Sequence, residues 1–149
     1  LGAMASDVNY IGVDTNTNLK EGYDQIMQDI PHKSKIQLIW DSCLEVDYSK
    51  LDYDLILTSP PYVNMELYEN MKPFESDAWF YNNFLIPTMD KAYKYMKDGD
   101  KMCINISPKM YKHLTEKFGY RKCDCTEDLR QQMGQAKTKS QDLIYIWEK

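Results

Sequence analysis

The chain has 149 residues, 43% apolar and 28% charged, the balance of a soluble globular protein of about one domain. At this length no disulfide or metal staple is required. No apolar run approaches the roughly 18 residues of a transmembrane helix, and the first residues lack a signal-peptide pattern, so the expectation is a protein without membrane partners. The net charge of −5 averages two unlike parts. Residues 1–90 carry 5 Lys/Arg against 15 Asp/Glu, whereas 91–149 carry 13 against 8.

Two readings of the basic part are open. Lys91, Lys94, Lys97, Lys101, Lys109, Lys112, Lys117, Arg121 and Lys122 form either a phosphate-facing side or a solvated helix face. The four cysteines, Cys43, Cys103, Cys123 and Cys125, include no Cys-x-x-Cys pair, and His32 and His113 are the only histidines. No metal site and a reducing, cytoplasmic compartment are expected. Cys123 and Cys125 are two apart, so a strand would pack both thiols on one face.

In chain order, Leu1–Ala5 reads as the tail of a helix begun upstream. Residues 8–14 (VNYIGVD) form an apolar run ending in Asp14, followed by a helical stretch that Pro31 stops. Residues 36–41 (IQLIWD) and 53–59 (YDLILTS) are two more such runs, and all three are expected to be strands buried on both faces. Ser76 is a candidate N-cap at the end of an aromatic and acidic loop over 62–80. Leu85, Met89, Ala92 and Met96 have helical spacing, with Pro87 implying a kink or a late start. Gly99 ends that helix; a strand at 101–107, a helix near 108–118 and two antiparallel strands at 120–127 and 142–148 complete the pattern, with a polar loop at 131–141. Alternating strands and helices predict an α/β fold with an open, mostly parallel sheet and helices on both faces. Ligands of such sheets bind beyond the carboxyl ends of the strands, here Asp14, Asp41, Ser59 and Ser107.

The third run exits into Thr58-Ser59-Pro60-Pro61-Tyr62. Two prolines fix φ and remove two backbone donors, leaving a stiff loop whose carbonyls need partners outside the sheet. Such a loop suits an amine. The Ser59 hydroxyl and the Pro60 carbonyl can accept the two hydrogens of an exocyclic amino group, and Tyr62 offers a ring for a planar base.

DLILTSPPY at 54–62 resembles the catalytic segment of the S-adenosylmethionine-dependent DNA amino-methyltransferases, which modify cytosine N4 or adenine N6 and share a (Ser/Asn/Asp)-Pro-Pro-(Tyr/Phe/Trp) motif. YIGVD at 10–14 and IWD at 39–41 are similar to the two strands preceding it in that family. The resemblance implies a Rossmann-like class I methyltransferase sheet over residues 1–149, mostly parallel with an antiparallel last strand. It implies Ser59, Pro60, Pro61 and Tyr62 as catalytic residues, Asp14 at the cofactor ribose and Asp41 near its adenine. DNA and S-adenosylmethionine are the implied partners, in a restriction-modification or regulatory role.

Pro-Pro-Tyr is also a ligand motif for proline-binding domains, and Asp14 and Asp41 are equally suited to turns after a strand. Two departures from the family pattern stand out. Its glycine-rich cofactor loop and first strand belong before the helix whose tail is residues 1–5, so the chain reads as N-terminally truncated. The expectation is then an inactive fragment with two open strand edges, self-associating or recruiting the missing segment from a second chain. No target-recognition region fits between the strands and TSPPY, which leaves recognition to 62–80, to missing sequence or to another polypeptide. Ser in the first motif position favours cytosine N4 over adenine N6. The alternatives are an RNA base methyltransferase and a catalytically silent nucleic-acid-binding subunit.

Overall fold

Each of the apolar runs becomes a strand of four to six residues. The computed structural model describes residues 1–61, 74–128 and 143–149, which fall into two units, Leu1–Asp47 and Tyr48–Lys149. In the first unit α1 (Gly2–Ala5) leads to β1 (Tyr10–Val13), α2 (Lys20–Asp29) and β2 (Ile36–Ile39). β1 and β2 pair in parallel, with Tyr10 opposite Ile36 and Val13 opposite Ile39. The Ser34 hydroxyl donates to the Ala3 carbonyl at 3.0 Å, and the Lys35 N–H donates to Asn9 Oδ1 at 2.9 Å. These two bonds tie the start of β2 to α1 and to the approach to β1.

The second unit comprises β3 (Leu55–Thr58), α3 (Asp77–Phe80), α4 (Ile86–Lys94), β4 (Lys101–Ile106), α5 (Pro108–Lys112), β5 (Cys125–Asp128) and β6 (Leu143–Glu148). Its sheet order is β3-β4-β6-β5, with β3 parallel to β4 and β6 antiparallel to both neighbours. The fold is therefore α/β with parallel and antiparallel pairs.

Ser76 caps α3, its hydroxyl accepting from the Trp79 N–H at 3.1 Å. Pro87 enters in the first turn of α4, directly after a π-helical turn at Tyr81–Leu85. A proline has no N–H to give the preceding turn, and a wider turn there redistributes the carbonyls. The Thr88 hydroxyl takes up one of them, donating to the Phe84 carbonyl at 2.7 Å. The helix ends at Lys94, before Gly99, which holds φ at +93° in the turn into β4.

Met102, Ile104 and Ile106 of β4 and Tyr145 and Trp147 of β6 share one sheet face, where they pack with Phe80, Leu85, Met89, Met110 and Leu114. Both helical layers of this unit thus lie on the same face. Burial of β1, β2 and β3 on both faces is not observed. Gly12 is the only buried residue of β1, and in β3 Leu55 and Leu57 are 54% and 67% exposed. The reason is positional: among the described residues β3 pairs with β4 alone, and Leu55 and Leu57 stand on the face opposite the helices.

The cysteine expectation is corrected as well. β5 begins at Cys125, which is exposed, while Cys123 precedes the strand and lies half-buried beside Tyr111. The Tyr111 hydroxyl accepts from the Cys123 N–H at 3.1 Å and from its thiol at 3.3 Å. The loop expected at 131–141 lies outside the described residues.

Burial ranks the strand residues by their worth to stability. Ile104→Ala, at 1% exposure, is expected to cost about 2–5 kcal/mol in urea unfolding. Leu57→Ala is expected to change stability by no more than about 0.5 kcal/mol. Equal losses in both variants would show that the outer face of β3 is covered.

Candidate functional site

Asp14 follows β1 directly, and its backbone N–H still donates to the Ile39 carbonyl at 3.0 Å. Its carboxylate Oδ1 accepts from the Asn16 N–H at 2.8 Å, an Asx turn that starts the connection toward α2. Asp14 is half-buried, and the other carboxylate oxygen makes no hydrogen bond among the described residues. Asp41 is exposed beyond β2, its Oδ1 accepting from the Ser42 N–H at 2.7 Å. Both acids therefore perform the local turn role that the sequence leaves open, each with one oxygen.

Beside this strand pair lies an open cavity of ≈ 50 Å³ lined by Tyr10, Gly12, Asp14, Tyr23, Leu38 and Trp40. That is room for a few waters, well short of a nucleoside. Tyr23 and Trp40 meet edge to face at 5.8 Å. A Cβ on Gly12 would stand 2.8 Å from the Tyr10 ring and 3.0 Å from a Leu38 methyl, so glycine is what lets Tyr10 lie against the strand. A carboxylate acceptor beside aromatic rings has the chemistry to meet hydroxyls and a planar ring, but the cavity in this structure has no room for a nucleoside. Sequence reading did not single out Tyr10, Tyr23 or Trp40, whose signal was aromatic placement around two acid-terminated strands.

In the second unit, β3 ends at Thr58, opposite Ile104, and Ser59 follows as an exposed residue. Its hydroxyl donates to Asn105 Oδ1 at 3.4 Å, and Asn105 Nδ2 donates to the Leu143 carbonyl at 3.2 Å. Pro60 is buried and Pro61 half-buried, so this Pro-Pro pair is packed against the protein. That is the opposite of a proline motif displayed for a partner groove. Tyr62 lies outside the described residues. Ser107 has a structural role: it caps α5, its hydroxyl accepting from the Met110 N–H at 3.2 Å.

The basic segment is largely engaged. Lys97 pairs with Asp52 at 2.6 Å, Lys101 with Glu148 at 3.0 Å and Lys112 with Glu116 at 3.8 Å. The Asp52 carboxyl is held below its ordinary range by its hydrogen bond to Lys97, and the same bond raises the Lys97 ammonium. Lys94, Lys117 and Arg121 lie over the rings of Tyr95, Phe118 and Tyr93, the last at 3.4 Å. These exposed pairs add little stability, and they leave less of the segment committed to phosphate than its charge suggests.

No protein-family model matches the chain, and no curated protein sequence matches it. No helix among the described residues is long and apolar enough to cross a membrane.

The turn role of Asp14 separates from any ligand role by substitution. Asp14→Asn keeps an acceptor for the Asn16 N–H and is expected to unfold at the wild-type urea concentration. Asp14→Ala removes that acceptor, at an expected cost of roughly 0.5–1.5 kcal/mol. Equal destabilisation by Asn and Ala would show that the charge, rather than the turn, is the structural contribution.

Proposed function

We propose that the protein transfers a methyl group from S-adenosylmethionine to an exocyclic amino group of a DNA base, cytosine N4 in preference to adenine N6. The sheet would then be the Rossmann-like class I methyltransferase type. One observation carries the reading: the stiff Ser59-Pro60-Pro61 segment follows a paired strand, with Pro60 buried and the Ser59 hydroxyl exposed. Packed prolines hold the loop still, and the exposed hydroxyl is available to a ligand.

An exocyclic amino nitrogen is a poor nucleophile because its lone pair is delocalised into the ring. The Ser59 hydroxyl and the Pro60 carbonyl, accepting one amino hydrogen each, favour the pyramidal nitrogen that frees the lone pair. Because the acceptors are fixed beforehand, they stabilise the transition state without reorganising. No strong base is required. A base must leave the duplex to reach this loop, at a cost of a few kcal/mol that stacking on Tyr62 offsets in part. Asp14 would hold the ribose hydroxyls of S-adenosylmethionine and Asp41 would stand near its adenine, with Tyr23 and Trp40 as apolar walls on the Asp14 side. When bound, that molecule supplies an electrophilic methyl group.

Substitutions at the two places should separate in effect. Ser59→Ala is expected to lower turnover on the order of 10²–10³-fold with cofactor affinity nearly unchanged, and Tyr62→Ala to lose about 1–3 kcal/mol of base binding. Asp14→Ala and Asp41→Ala are expected to weaken S-adenosylmethionine binding in titration calorimetry. Unchanged cofactor affinity in both aspartate variants would remove them from the site. Transfer to RNA alone would shift the substrate class, and nucleic-acid binding without any transfer would favour a silent subunit.

A further inference from the structure

A serine hydroxyl is both donor and acceptor, yet a base amino group offers only hydrogens. For Ser59 to accept one of them, its own proton must be directed elsewhere. Asn105 Oδ1 lies 3.4 Å away in the direction the Ser59 hydroxyl donates. The Asn105 amide is oriented from its other end, since Nδ2 donates to the Leu143 carbonyl at 3.2 Å. Reversing the amide would set oxygen against the Leu143 carbonyl and present a second donor to Ser59. Neighbouring strands impose this arrangement: Thr58 is opposite Ile104, which brings Ser59 beside Asn105, and Ile106 is opposite Leu143.

We propose that Asn105 is a positioning residue that takes the Ser59 proton into a hydrogen bond and so fixes the Ser59 oxygen as an acceptor toward the substrate amino group. The inference rests on the amino-methylation reading above. At 3.4 Å the bond is longer than the roughly 2.7–2.8 Å usual for O–H···O. Hydrogen bonds of a catalytic set commonly tighten only once substrate is bound. A role confined to joining β4 and β6 is the competing explanation, because the bond from Nδ2 to Leu143 serves that alone.

The test is a double-mutant cycle in the full-length protein, with kcat, KM for DNA and cofactor affinity measured for Ser59→Ala, Asn105→Leu and the double variant. Asn105→Leu is expected to lower kcat by up to roughly tenfold, the scale of one hydrogen bond's net contribution, with cofactor affinity unchanged. In the Ser59→Ala background the same substitution is expected to have no further effect. Asn105→Asp keeps an acceptor oxygen for Ser59 but sets its other oxygen against the Leu143 carbonyl, so it is expected to retain part of the rate and to stay well above Ser59→Ala, which decides the matter if the leucine variant does not fold. An Asn105→Leu loss of equal size in both backgrounds, a wild-type rate in that variant, or an Asn105→Asp loss as deep as that of Ser59→Ala overturns the proposal and leaves the reading of Ser59 standing. Unchanged transfer in Ser59→Ala overturns the amino-methylation reading, and the role of Asn105 with it.

Discussion

Parallel pairing of β3 on β4, Leu55 against Lys101 through Thr58 against Ile104, determines where the Ser59 hydroxyl stands. β4 cannot shift to change that register, because Met102, Ile104 and Ile106 are almost wholly buried under the helices and a one-residue slip would turn all three outward. The register of β3 then follows from β4, and the double proline begins as soon as the ladder ends. Ser59 is thus held by a strand behind it and packed Pro60 ahead of it, while its own side chain remains exposed.

The same alternation explains why the candidate chemistry is separate from the core. Along β4 the residues facing the helices are apolar, whereas Asn105 is on the other face with Lys101 and Cys103. Asn105 is half-buried, and its amide spans from β6 toward Ser59. A polar side chain in that position costs little, since its donor and acceptor both have partners. The first unit repeats the pattern on a smaller scale: two parallel strands end in carboxylates, each with one oxygen used by a local turn.

Much of the architecture was legible where a single local signal decided the outcome. Leu85, Met89, Ala92 and Met96 are all buried, as their spacing implied, and Ser76 caps its helix; Ser107, read from the sequence only as a strand end, turns out to cap a helix as well. The antiparallel pairing of β5 with β6 was also legible, from two strand-like runs placed on either side of a polar stretch. Exposure was not legible: LILT looks the same in sequence whether its strand is central or, as among the described residues here, paired on one side. The π-helical turn before Pro87 was accessible only as a disturbance around a proline. Of the candidate site, the acids and Ser59 could be read from strand ends. Asn105 could not, because its relevance depends on the register between strands 46 residues apart in the chain. Tyr23 and Trp40 were hidden for a similar reason, coming together only once α2 folds beside β2.

The reaction is defined by the atom that receives the methyl group. Isotopically labelled S-adenosylmethionine incubated with the full-length protein and mixed-sequence DNA, followed by digestion and mass spectrometry of the nucleosides, identifies that atom directly. Label is expected on an exocyclic nitrogen, as N4-methylcytosine ahead of N6-methyladenine. Label on a ring carbon, as in 5-methylcytosine, or no methylated nucleoside at all, would rule out amino-methylation.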